Sequence, residues 1–167
     1  MKTVDDITKS SRHQKIIGQF GEHIVCNWLS RSGFEVAIVD HTGLDIIAYR
    51  LETKQRLGIT VKSRTRRAGT EAESVNLFST RHEGRAKLMA ACNAFGCEPW
   101  IAVYVEASNG GDIFLTSLAH YDEAYRGKSG RENEDWKMGP NYRKHYEADP
   151  GVQHLRVRFD KTGWVWK

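Results

Sequence analysis

The sequence predicts an α/β fold built on a mixed sheet, and three observations predict it. A helical stretch precedes three extended runs joined by short turns, the pattern of an antiparallel meander. A second helical stretch leads directly into an apolar strand of the buried kind, as a parallel crossover requires. Further extended runs follow, separated by turn signals and without internal repeats.

Residues 1–10 are polar. Over residues 12–32, Ile17, Phe20, Ile24 and Trp28 recur at three- and four-residue steps, which gathers them on one face of a helix. Ser10 and Ser11 are candidates to cap its start, and Gly33 to end it. A short apolar run at 36–39 ends at Asp40, and His41-Thr42-Gly43 reads as a turn. Residues 45–51 are apolar and extended, and residues 52–56 are turn-like. Residues 57–64 alternate, with Leu57, Ile59 and Val61 on one face and Gly58, Thr60 and Lys62 on the other. A short strand is expected at 74–78. The second helix is expected over 81–95, with Leu88, Cys92 and Phe95 on one stripe and Gly96 and Pro99 to stop it. Strands are then expected at 100–106 and 113–118, separated by the Asn109-Gly110-Gly111 turn. Residues 121–151 are polar, rich in Tyr, Arg, Lys, Gly and Asn, and read as an irregular arm. Residues 155–159 and 164–166 alternate across Thr162-Gly163, which suggests a closing hairpin. The expected organisation is therefore one domain over 1–167, with a core at 11–118, an arm at 121–151 and a hairpin at 155–167.

With 25 Lys plus Arg against 21 Asp plus Glu, the chain of 167 residues carries a net charge of +4. That excess equals the four cations Lys62, Arg64, Arg66 and Arg67, a run containing no acid. Hydrophobic residues at 40% and charged residues at 28% describe a globular chain, not a disordered one. No apolar run reaches the roughly 18 residues of a membrane helix, and residues 1–15 contain no secretory-type apolar stretch. A cytoplasmic protein without membrane partners is the resulting expectation. Cys26, Cys92 and Cys97 are too few and too scattered for a four-ligand zinc site, and read as reduced, small apolar residues.

Three segments carry the candidate chemistry: Gly18-Gln19-Phe20-Gly21-Glu22, Gly43-Leu44-Asp45-Ile46-Ile47-Ala48 and Gly58-Ile59-Thr60-Val61-Lys62-Ser63-Arg64. Thr60 and Lys62 share a face, because side chains alternate along a strand. In a meander the start of the second strand lies opposite the far end of the third, so Asp45 can sit beside Lys62. Glu22 lies at the margin of its helix's apolar stripe and can point towards the sheet edge. Two carboxylates and a lysine in one pocket suit phosphodiester hydrolysis with Mg²⁺ or Mn²⁺. A hard cation takes carboxylate and phosphate oxygens, polarises the phosphate and acidifies water. A lysine there orients water or stabilises developing charge.

These motifs, in this order, resemble the PD-(D/E)xK nuclease superfamily, in its restriction-endonuclease-like and Holliday-junction-resolvase-like branch. The resemblance covers about residues 15–106. It implies an αβββαβ core and metal-dependent cleavage of DNA. Glu22 then corresponds to the acid of the first helix, Asp45 to the metal ligand of the second strand and Lys62 to the motif lysine. The acid usually found two residues before that lysine is replaced by Thr60, which removes a negative charge. The Val61 carbonyl remains as a metal ligand, and Glu22 or Asp40 is placed to restore the charge. Arg64, Arg66 and Arg67, with Arg81 and Arg85 at the start of the second helix, are the expected phosphate contacts. Tyr125, Trp136, Tyr142 and Tyr146, interleaved with Arg126, Lys137, Arg143 and Lys144, either stack on unpaired bases or pin the arm to the core. Three functions remain open on these residues: a DNA endonuclease, a nucleic-acid-binding module with a lost site, and a protein-interaction domain using the arm. Many members of the superfamily dimerise to cut two strands, so a homodimer is among the expected assemblies.

Overall fold

The structure, a computed structural model, describes residues 7–127 and 133–164. Helix α1 spans His13–Arg31. Its start is not capped by a serine hydroxyl; the His13 N–H instead donates to the Ser10 carbonyl at 3.1 Å. Its end follows expectation, since Gly33 takes a positive φ of +84° and Phe34 N–H reaches back to Leu29 O at 3.1 Å. The buried face is Ile17, Gly21, Val25 and Leu29. Phe20 stays 46% exposed, and Ile24 and Trp28 flank the contact. The face is rotated from the expected stripe because the helix seats Gly21, the second of its two glycines, against the sheet.

The meander is β1 (Glu35–His41), β2 (Leu44–Arg50) and β3 (Gln55–Thr65). Gly43 turns the chain between the first two strands with φ +87°, and a Cβ there would lie 2.6 Å from the Lys87 backbone. Strand β4 (Val75–Ser79) leads through a 3₁₀ turn at Thr80–His82 into α2 (Gly84–Phe95). The helix starts later than its pattern suggests because Glu83 adopts a left-handed conformation, φ 52°. Strand β5 (Glu98–Ala107) then runs parallel to β3, as the crossover predicted. Strands β6 (Gly110–Ser117) and β8 (Val152–Arg158) complete a six-stranded sheet in the order β1-β2-β3-β5-β6-β8. All its pairings except β3–β5 are antiparallel.

The two helices cover opposite faces. Alternation along β5 sends Ala102 and Tyr104 towards α1, with Ile46, Ile59 and Val61. Ile101, Val103 and Val105 point towards α2, with Leu88, Ala91 and Cys92. The cysteines fill space in these layers, and burial pushes the Cys26 and Cys92 thiols up to about 11.

Residues 121–151 hold more regular structure than their composition suggests. Helix α3 (Leu118–Ala124) is capped by Ser117, whose hydroxyl accepts from His120 N–H. Strand β7 (Asn133–Trp136) pairs with β4, and α4 (Pro140–Ala148) begins on proline. Trp136, Met138 and Tyr146 are fully buried, and Trp136 meets Tyr146 and Tyr121 at centroid distances of 5.3 and 6.0 Å. The aromatics Trp136 and Tyr146 thus pin the segment to the α2 face. The expected strand at 155–159 is present as β8, but its partner is β6. Most of the other hairpin arm expected, 164–166, lies outside the described residues. Among the described residues, no helix is long and apolar enough to cross a membrane.

Candidate functional site

The register that pairs Ile46 with Ile59 sets Asp45, at the start of β2, beside Thr60 on β3. Asp45 Oδ2 accepts from Thr60 Oγ1 at 3.0 Å and from the Val61 N–H at 2.6 Å. Thr60 Oγ1 in turn accepts from Lys62 Nζ at 3.2 Å. Lysine and aspartate are thus joined through the threonine hydroxyl, which is almost fully buried at 4% exposure. Asp45 Oδ1 makes no hydrogen bond among the described residues.

Helix α1 packs against β3 next to these residues. A Cβ at Gly21 would stand 1.9 Å from Ser63 Oγ and 3.0 Å from Ser63 Cβ. Only glycine lets the helix backbone approach β3 this closely, and Glu22 follows it. Burial pushes the Glu22 carboxyl above the usual range, and the Asp45 charge adds to the shift. Lys62 pulls in the other direction and Asp40 adds a smaller upward push. Glu22 therefore shares an electrostatic environment with Asp45, Lys62 and Asp40. Asp40 gets there through an irregularity in β1. Ile38 faces Ile46 and His41 faces Leu44, so Val39 and Asp40 together oppose the single residue Asp45. Such a bulge re-aims side chains at the end of a strand.

The expected phosphate contacts divide. Arg64 is half-buried and donates to the Ser63 carbonyl at 2.8 Å, with no carboxylate partner among the described residues. Arg67 and Arg81 are exposed and likewise have no carboxylate partner among the described residues. Arg66 folds back onto the following loop, pairing with Glu73 at 3.0 Å and donating to the Glu73 and Ser74 carbonyls. Arg85 does not line the pocket. It bonds both Asp122, at 2.6 Å, and Glu134, and lies over the Phe78 ring. Although burial opposes its charge, the hydrogen bonds to Glu134 and Asp122 hold its pKa above the ordinary value. Its role is to tie α2 to α3 and β7. Sequence reasoning assigned Arg85 to phosphate because both of its acids lie in the segment taken for an arm.

A second polar cluster had no signal in the sequence. Asp112 on β6 accepts from Arg143 at 2.6 Å, His154 at 2.8 Å and Arg156 at 2.9 Å. Burial alone would raise its pKa, but the hydrogen bonds from His154 and Arg156, with the Arg156 and Arg143 charges, bring it below the ordinary value. Asp112, Glu147 and His154 place ligand atoms within 4.8 Å of one another. Two guanidinium groups already occupy the Asp112 oxygens, so the cluster clamps α4 and β8 to β6 and offers a cation little.

A helix, a three-stranded meander and a crossover to a parallel strand, with Asp on the second strand and Lys on the third, define the restriction-endonuclease-like fold. Among solved structures, the chain is similar to Hjc, a Holliday junction resolvase from the archaeal hyperthermophile Archaeoglobus fulgidus. The match has 18% identity and a TM-score of 0.52 over 72% of this chain and 83% of that one. No protein-family model and no curated sequence matches the chain. The likeness is one of fold.

Proposed function

We propose that this protein is a divalent-metal-dependent DNA endonuclease whose site is built from Asp45, Glu22, the Val61 carbonyl, Thr60 and Lys62. The observation that carries this reading is the site's unbalanced acidity: burial and then the Asp45 charge push the Glu22 carboxyl above its usual range, and Lys62 is the one cation that opposes them there. Such a donor set suits a hard cation, because carboxylate and carbonyl oxygens are the ligands it takes. Asp45 Oδ1, Glu22 and the Val61 carbonyl would hold Mg²⁺ or Mn²⁺. The bound ion would supply polarisation of the phosphate and a more acidic water. Thr60 replaces a charged ligand with a neutral hydroxyl that fixes the Asp45 carboxylate and the Lys62 ammonium in position. Lys62 would stabilise the charge that develops on phosphate oxygens. Asp40 restores the negative charge that Thr60 lacks. Arg64, Arg67 and Arg81 would neutralise backbone phosphates. A cytoplasmic location and assembly as a homodimer belong to the same proposal.

One observation favours the alternative of a DNA-binding module without catalysis. Asp45 Oδ2 is already taken by two donors, which leaves a single oxygen for metal. Incubation of supercoiled DNA with Mg²⁺ or Mn²⁺ separates the two. The endonuclease reading expects nicking or cutting that chelation, Asp45→Ala and Lys62→Ala each abolish. Cleavage that survives both substitutions removes the site assignment, and salt-sensitive binding without cleavage leaves the binding module.

A further inference from the structure

The N-terminal segment meets the cationic run at the end of β3. Lys9 Nζ donates to the Thr65 carbonyl. Thr65 itself is held firmly, with His13 Nε2 at 2.8 Å from its hydroxyl and that hydroxyl donating to Glu106 Oε1 at 2.9 Å. Glu106 also accepts from the Tyr104 hydroxyl at 2.7 Å. Just beyond Thr65, Arg67 is fixed by its backbone. Its N–H donates to Thr70 Oγ1 at 3.0 Å, and its carbonyl accepts from the same hydroxyl at 2.9 Å. The Arg67 side chain remains exposed.

The charges facing Lys9 are Arg67, Arg66, Glu106 and Glu73. Burial lowers the Lys9 pKa first, and Arg67 and Arg66 lower it further, against smaller opposing effects of the two acids. Glu73 is already paired with Arg66, and Glu106 already accepts two hydroxyls. Lys9 therefore lies within the field of Arg67, and neither has a carboxylate partner of its own among the described residues. The first turn of α1 beside them contains no acid. Like charges fixed this way are unfavourable unless an anion comes between them.

We propose that Lys9 and Arg67 form a phosphate clamp astride Thr65, which grips the DNA backbone beside the Asp45–Lys62 pocket. The inference rests on the DNA reading above and adds a contact from outside the sheet and helices. Lys62 and Thr65 are three residues apart on one strand, about 10 Å at strand rise. That span is the axial length of roughly three base pairs, and β3 ends at Thr65, so the clamp lies at the strand end nearest Lys62.

The test measures binding of a short fluorescein-labelled duplex by anisotropy, in EDTA, across a sodium chloride series. Each phosphate contact contributes about 0.9 to the slope of log Kobs against log salt. Lys9→Gln and Arg67→Gln should each reduce the slope by about 0.9, and the double variant by about 1.8. Lys9→Arg should preserve the slope, as should Lys54→Gln in the turn between β2 and β3. Circular dichroism checks that each variant is folded. An unchanged slope in both Gln variants, or an equal fall in Lys54→Gln, overturns the clamp and leaves DNA binding standing. A wild-type protein that binds no DNA at low salt overturns both.

Discussion

Replacing Gly21 with alanine tests how α1 is seated and, with it, where Glu22 lies. The new Cβ would stand 1.9 Å from Ser63 Oγ and 3.0 Å from Ser63 Cβ, with Tyr104 Cβ at 3.5 Å behind them. Rotation of the serine hydroxyl relieves the first contact but not the second, so the helix must lift from β3. Overpacking of this kind costs about 1–3 kcal/mol. Alanine recovers about 0.8–1.0 kcal/mol through helix propensity. The net loss is about 0–2 kcal/mol, which lowers Tm by up to roughly 8 °C for a chain of this size. Gly18, one turn away, is the internal control, because a Cβ there meets nothing within 4 Å. Gly18→Ala should stabilise by about 0.8–1.0 kcal/mol through propensity alone. Ser63 Oγ is buried without a hydrogen-bond partner among the described residues, so Ser63→Ala in the Gly21→Ala background should restore part of the loss. Thermal and urea unfolding of the four proteins decides the matter. If Gly21→Ala stabilises as much as Gly18→Ala, the close approach of α1 to β3 is wrong, and so is the placement of Glu22.

Three further outcomes are expected. Arg85→Ala leaves Asp122 and Glu134 only the more distant and more exposed Arg126, at 3.7 and 3.4 Å, and should destabilise by about 2 kcal/mol in urea unfolding, given partial solvent screening. The salt slope of DNA binding should not change. Asp112→Ala removes the carboxylate shared by Arg143, His154 and Arg156, leaving Arg143 two backbone carbonyls and Arg156 the Glu147 carboxylate, and should cost about 3 kcal/mol. Because the Asp112 carboxyl lies below its ordinary value, that stabilisation is present above an unfolded pKa of about 3.9 and fades only as pH falls below it. Comparing unfolding of wild type and variant across acid pH checks the direction. Thr60→Glu places a third carboxylate beside Asp45, so Tm should fall without metal, rise more steeply than wild type with Mn²⁺, and be accompanied by faster cleavage.

The core of the fold was legible because its signals are local. The alternation of Leu57, Ile59 and Val61 sets β3, and the apolar run after Gly96 and Pro99 sets the parallel β5. The pocket was legible for a related reason: the meander fixes which end of β2 meets which part of β3, which brings Asp45 to Thr60. What stayed hidden depends on contacts between distant segments. Trp136 and Tyr146 build a core layer from aromatics, so the segment around them lacks the aliphatic periodicity of a helix or strand. Arg85 looks like a phosphate ligand until Asp122 and Glu134 are brought to it. Lys9 lies in a polar stretch with no pattern, and only the fold carries it to Thr65. The bulge that turns Asp40 towards Asp45 likewise has no signature in Val36–Asp40.

The most direct measurement is a calorimetric titration of the DNA-free protein with Mn²⁺ at mildly acidic pH. The account predicts saturable binding that Asp45→Asn abolishes, with protons released because the Glu22 carboxyl lies above its usual range. In Glu22→Gln the proton release should disappear and the affinity should fall. Absence of saturable binding, or equal binding by wild type and Asp45→Asn, would contradict a metal site in this pocket.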